Sequence, residues 1–243
     1  METTVDKKTF QLEGAKGTLP VTIGIEGEDG MMMPLIKRGT RLPAVFNRVF
    51  TTTGSFQMSA YLHIVLGERP LVKDDLTLCI VRHDEGAFRS AGKSRYSLAI
   101  RVDGKGRVEV SSKNLDKKGA QQFRVSYEAD IVSAEMLRKL TADALAFREV
   151  DDTYQGKYDK LDSVRKQVNR LHNEVWPFAK KKMSLVEKHG YRQCRKNLQE
   201  IVRQGPSALD DGNEENLRAL LEELDRWKSI LDERARQVMA WYQ

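Results

Sequence analysis

Cysteine is almost absent: there are two in 243 residues, Cys79 and Cys194. They lie too far apart for a metal-ligand spacing and are too few for a disulfide framework. Two reduced thiols fit a cytosolic protein. No apolar run approaches the roughly 20 residues that a membrane-spanning helix needs. The N-terminus, METTVDKKTF, has no apolar signal core. The expectation is a cytoplasmic chain that does not enter a membrane. Catalytic signatures are missing as well. His63, His83, His172 and His189 form no HExxH pair, and His63 (on a strand) and His172 (on a helix) read as structural or surface histidines. Asp74-Asp75 and Asp151-Asp152 are adjacent acids with no partner base. Gly104-Lys105-Gly106 is too short for a phosphate loop. The chain is therefore expected not to be an enzyme, and to need no cofactor and no metal.

What is present is a folding sequence. Hydrophobic residues make up 40% and charged residues 31%, the balance of a globular protein rather than a disordered one. The length suits one large or two small domains. The formal charge is +6 with 35 acidic residues interspersed. The one compact basic run, Lys180-Lys181-Lys182, has no aromatic residue interleaved to stack on bases and reads as a solvated helix face. Charge alone does not make this a nucleic-acid binder, and nucleic acid is not an expected partner.

The pattern changes near residue 130. Before it, short apolar runs read as strands: Val21–Ile25, Met31–Ile36, Ala44–Thr51, Gln57–Val65, Leu76–Val81, Tyr96–Val102, Arg107–Ser111 and Gln122–Ser126. Several alternate with period two, with Val108 and Val110 facing one way and Arg107, Glu109 and Ser111 the other. Asp103-Gly104-Lys105-Gly106 predicts a hairpin turn. Strands at this spacing, with no helix between them, predict an antiparallel β-sandwich. From about Ser133, a candidate N-cap, helical spacing takes over. Tyr158, Leu161, Val164, Val168, Leu171 and Val175 form one stripe, which Pro177 should end or kink. A segment over about 178–202 follows, Gly205-Pro206 breaks the chain, and a last helix over about 214–241 carries Leu217, Leu220, Leu221, Leu224, Trp227, Leu231, Val238 and Trp241. The fold class is α+β: an antiparallel β-sandwich, then an all-helical lid or bundle. The expected domains are a polar N-terminal segment over 1–18, the sandwich over 19–130 and the helices over 131–243.

Several motifs in order carry a resemblance. PVTIGIE at Pro20–Glu26, PLIKRGTRLP at Pro34–Pro43 and LHIVLGERP at Leu62–Pro70 are similar to the GIE strand, the LIxRxTxIP hairpin and the strand-to-GER turn of the 70-kDa heat-shock (DnaK-type) chaperones. VDGKGRVEVSSKN at Val102–Asn114 resembles that family's IDANGILHVSAKD. The likeness covers roughly Leu19–Val175, is strongest in the sandwich and is architectural beyond Pro177. It implies the family's substrate-binding region, in which a helical lid folds over a sandwich.

The resemblance also implies a channel for an extended peptide at one end of the sandwich. There, main-chain hydrogen bonds give affinity and an apolar pocket gives preference. By position its lining is Ile25, Gly27 and Glu28 on the first loop, then Phe50, Thr51 and Thr53. Gln57, Ser59, Ala60, Tyr61 and Leu62 follow on the next strand, and Tyr96 on a later one. From pattern alone, Ile25, Phe50 and Leu62 also read as ordinary core residues.

Three features depart from the family. Ala60 stands where valine or isoleucine is usual, which deepens the pocket for a bulkier side chain. Glu28 and Thr53 occupy positions that are commonly apolar and arch over the peptide, and a carboxylate there favours peptides with Lys or Arg flanking an apolar centre. Arg89 is displaced by about two positions from the family's lid-latching cation, with Asp151, Asp152 and Asp159 as candidate partners.

Residues 1–18 lack the clustered leucines of the family's interdomain linker, and no phosphate-binding glycine pattern precedes the sandwich. The expected function is therefore chaperone-like binding of extended apolar segments of unfolded polypeptides, without ATP hydrolysis. A separate nucleotide-binding chaperone or co-chaperone is a further candidate partner. The alternative is an interaction module whose helical bundle docks one fixed partner. The Met1 start fits a chain that stands alone, and a piece of a longer protein is the other reading.

Overall fold

Alternation of apolar and polar residues sets the first half of the chain. In Arg95–Val102 and Arg107–Asn114 the even-numbered residues through Val102 and Ser112 are buried, and the odd ones face out. This is the period of a strand covered on one side. The computed structural model describes residues 7–27, 30–51, 59–84, 94–116, 121–124, 130–206, 209 and 211–240. Their strands are β1 (Lys7–Leu12), β2 (Ile23–Glu26), β3 (Met32–Ile36), β4 (Ala44–Thr51), β5 (Ser59–Leu66), β6 (Leu76–Asp84), β7 (Arg95–Val102), β8 (Arg107–Asn114), β9 (Gln121–Arg124) and β10 (Ile131–Val132). They form two five-stranded sheets, ordered β10-β1-β8-β7-β4 and β3-β2-β5-β6-β9. All neighbours are antiparallel except β1 and β10. The two inner faces enclose one core, from Phe10 and Leu12 through Ile64, Leu78 and Ile100 to Val110. The α+β sandwich-then-helix architecture is thus the observed one.

Strand β1 was not expected in a segment that reads as polar. Its burial nevertheless alternates, with Phe10 1% and Leu12 0% exposed. Two apolar residues are too few to signal a strand in sequence, but pairing with β8 places both on the core face. The hairpin between β7 and β8 forms at the expected tetrapeptide. Asp103 Oδ1 accepts from the N–H groups of Lys105 (2.8 Å) and Arg107 (2.9 Å). Gly106 takes φ +80°, which a side chain would resist.

The helices are α1 (Ala134–Ala146), α2 (Arg148–Arg170), α3 (Trp176–Ala179), α4 (Leu185–Gln204) and α5 (Asp211–Met239). Ser133 caps α1 as its sequence predicts, its Oγ accepting from the Met136 N–H at 3.1 Å. The chain divides into two compact units, Met1–Arg148 and Glu149–Gln243. Helix α1 therefore belongs with the sandwich, to whose core it adds Leu137 and Leu140.

In the second unit a π-helical turn, Leu171–Val175, leads into Trp176-Pro177 at the start of α3. Proline is tolerated there because a first-turn N–H has no helical partner to lose. The shortened helix puts Lys180, Lys181 and Lys182 on an exposed turn rather than a helix face. Ser184 then opens α4 with a reciprocal capping box: Glu187 N–H to Ser184 Oγ at 3.2 Å, and Ser184 N–H to Glu187 Oε2 at 2.6 Å. The core of this unit is a leucine and valine stripe with Trp176 stacked on Tyr191 at 4.9 Å and Tyr191 edge-on to Trp227 at 6.4 Å. No described helix is long and apolar enough to cross a membrane.

Candidate peptide-binding site

Antiparallel pairing sets the end of β4 beside the start of β7 and the end of β6 beside the start of β5, while β2 joins β5 further along, with Ile25 opposite Ile64. Phe50 lies opposite Tyr96 in one sheet, and Ala60 opposite His83 in the other. Alternation along β5 turns Ala60, Leu62 and Ile64 inward, with Leu62 6% exposed, while Tyr61 on the opposite face is 61% exposed. Ile25, Leu62 and Tyr96 belong to the buried core, and Phe50 and Ala60 are partly buried against it. Five of the expected residues are thus part of, or packed against, the single apolar core of the sandwich. Ser59 and Tyr61 sit on the other face of β5 by the same alternation. Thr51 closes β4 opposite Arg95 and is exposed. Gly27 donates its N–H to the Met31 carbonyl at 2.8 Å. Glu28, Thr53, Gln57 and Arg89 lie outside the described residues. Asp159 accepts from Gln155 Nε2 at 2.8 Å.

Two polar residues join this cluster that the sequence reading did not place there. His83 is 2% exposed, its ring lies 4.7 Å from that of Tyr96, and its Nε2 is 2.7 Å from Ser112 Oγ. These contacts tie one sheet to the other just inside Ala60. The Tyr96 hydroxyl is buried with no hydrogen-bond partner among the described residues. The signal for His83 was available: Cys79, Val81 and His83 recur at period two on an inward strand face.

The motif residues around the cluster hold its walls. Glu26 of the GIE strand and Thr77 take the two ring nitrogens of His63, each at 2.7 Å, linking β2, β5 and β6 on the outer face. In the GERP turn Gly67 donates to the Thr22 carbonyl at 3.1 Å, and Glu68 Oε1 accepts from the Thr22 N–H at 2.7 Å. A side chain on Gly67 would collide with Asp75, whose Oδ1 would stand 1.7 Å from the added carbon. That crowding buries Asp75 and raises its pKa to about 7; desolvation is the main cause, partly offset by the Arg69 N–H bond. Both thiols, Cys79 and Cys194, are free and buried, and burial pushes each up to about 12.

The family model described as Hsp70 protein matches residues 5–237. The chain belongs to the Hsp70 family. Similar relatives of this Hsp70-family chain include three proteins named chaperone protein DnaK. The one from Picrophilus torridus is 29% identical over 144 residues, which is 59% of this chain and 23% of the relative. That from Buchnera aphidicola subsp. Schizaphis graminum is 27% identical over 203 residues, 83% of this chain and 31% of the relative. That from Thermosipho melanesiensis is 26% identical over 238 residues, 91% and 37%. The chain thus spans well under half the length of these relatives.

Proposed function

We propose that this Hsp70-family chain binds extended apolar segments of unfolded polypeptides at the end of the sandwich, as the substrate-binding region of the family (sandwich over 19–130, helices over 131–243). The observation that carries this reading is the placement of Ala60. A small, partly buried side chain sits at the inward start of β5, packed against the sandwich core that also holds Ile25, Leu62 and Tyr96 and against which Phe50 packs. In the proposed site the short side chain of Ala60 fills less of the pocket than the family's usual valine or isoleucine, which suits a bulkier incoming apolar side chain. The neighbouring strand ends supply main-chain groups for an extended partner. Glu28, Thr53 and Gln57 complete the proposed lining by their sequence positions.

ATP hydrolysis forms no part of the activity proposed for these residues, in which Gly104-Lys105-Gly106 is too short for a phosphate loop. A separate nucleotide-binding chaperone or co-chaperone is a candidate partner. Buried free thiols fit a reducing, cytoplasmic setting. Fluorescence anisotropy with a labelled unfolded peptide bearing a central aromatic residue tests the reading. Saturable binding is expected, and its absence at high micromolar concentration overturns the assignment.

A further inference from the structure

The two sheets present four outermost strands, and three of them are poor templates for further pairing. β10 has two residues, β9 has four, and β3 carries Pro34 in the middle of its five. Short edges and prolines are the usual means by which folded proteins close sheet edges. β4 is the exception. It runs eight residues, Ala44–Thr51, with neither proline nor lysine, and pairs with β7 along its whole length. Among the described residues nothing pairs with its other side. Every second residue of β4 therefore directs its N–H and C=O outward, away from the sheet.

Side chains along this edge share a character. Val45 and Val49, on the outer face, are 61% and 51% exposed. Beside Val49 a depression of about 480 Å³ opens over the small residues Ser97, Ala99 and Ser111. The nearby cations, Arg48 on β4 and Lys113 on β8, are in no ion pair with a described carboxylate; Arg48 lies over the Phe50 ring at 5.7 Å. Glu109, on the same outer face, is occupied by Lys7 at 2.9 Å, and β4 itself contains no acidic residue.

We infer that β4 is a docking edge for an extended acidic segment of another polypeptide, added to this sheet as a further strand. Main-chain hydrogen bonds along β4 supply the sequence-tolerant part of the affinity. Alternate apolar residues of the added strand meet Val45 and Val49 on the outer face, and its carboxylates, alternating to the other face, meet Arg48 beside Phe50. Charge argues against a second copy of this chain, because self-pairing of β4 brings arginines together and offers no carboxylate. The edge is distinct from the apolar cluster at Ala60, so this inference and the proposed function fail separately.

Fluorescence anisotropy with a labelled octapeptide of alternating glutamate and valine tests it. The expected result is saturable binding that weakens with salt. Affinity should fall by about tenfold or more in the doubly substituted Arg48→Glu, Val49→Glu protein, and by a similar factor for the same peptide N-methylated along its pairing edge. Ala60→Val should leave it unchanged. Because the N-methylated peptide is tested on the unaltered protein, its result stands even if the double variant does not fold. No saturable binding at low salt, or equal binding by the N-methylated peptide, overturns the inference. So does loss on Ala60→Val, which assigns the peptide to the apolar cluster. A dimer in sedimentation that the double variant abolishes assigns the edge to a second copy and overturns it too.

Discussion

The guanidinium carbon of Arg69 stands 4.5 Å from the centre of the Phe147 ring. Arg69 also reaches Asp74 at 3.5 Å, and its own N–H donates to Asp75 Oδ1 at 3.3 Å. The GERP turn therefore does not line the apolar cluster. It clamps the end of the first helix to the sandwich. Replacing Arg69 with alanine removes a cation–π contact and part of the turn's packing. The expected loss is about 1–2 kcal/mol of stability, read as a lower urea midpoint. In a double-mutant cycle with Phe147→Leu, the two losses should be less than additive.

The pocket reading makes a size-dependent prediction. Ala60→Val adds two methyl groups to the inward start of β5. Affinity for peptides with an aromatic centre should drop by about tenfold or more, the scale of overpacking a closed apolar site. Peptides centred on alanine should be affected far less. Titrating both peptides against both proteins checks the difference.

Asp75 gives a pH dependence whose sign follows from its environment. Its pKa is raised from 3.8 to about 7 in the folded protein, so between those values the folded state holds a proton that the unfolded state has lost. Stability from this group is complete below about pH 4 and is lost as pH rises through 7. One carboxylate oxygen, Oδ2, is buried without a hydrogen-bond partner among the described residues, consistent with a protonated, weakly solvated group. Asp75→Asn should flatten this slope. Urea midpoints at pH 5 and pH 8 should lie closer together in the variant than in the unaltered protein.

Gly190 lies under Trp227. A methyl group there would stand 2.5 Å from Trp227 Cζ2, so the ring or helix α4 must move. Gly190→Ala gains helix propensity of about 1 kcal/mol, but overpacking of about 1–3 kcal/mol should outweigh it. Net destabilisation of the helical unit, seen as a lower melting temperature and altered tryptophan fluorescence, is the expected outcome. A more stable variant would mean that the Trp227 contact yields without cost.

Much of this molecule was legible before any coordinates. Alternation in Arg107–Ser111 predicted β8, which runs on to Asn114, the Asp103–Gly106 turn formed as expected, and Ser133 caps the first helix. These features rest on a few neighbouring residues, and local chemistry decides them. Lys7–Leu12 escaped notice because its strand exists only through pairing with β8, whose residues lie about 100 positions away. The Ser184 box cap carries its own Ser-x-x-Glu signature, but it lies inside the helical spacing expected from residue 178.

For the proposed site the division is sharper. Sequence order alone nominated Ile25, Phe50, Ala60, Tyr61, Leu62 and Tyr96 through their likeness to a known family, and the structure then turned Tyr61 to the opposite face of β5. Sequence also determined the class of the fold, since the hydrophobic period changes from two to about 3.6 near residue 130. Only the tertiary structure decided that His83 and Ser112 join the two sheets behind that cluster, that Arg69 grips Phe147, and that β4 is left as the long open edge. Each of these depends on which distant strands become neighbours. Strand neighbours are selected by the burial of whole faces across the sheet, and no local run of residues records that choice.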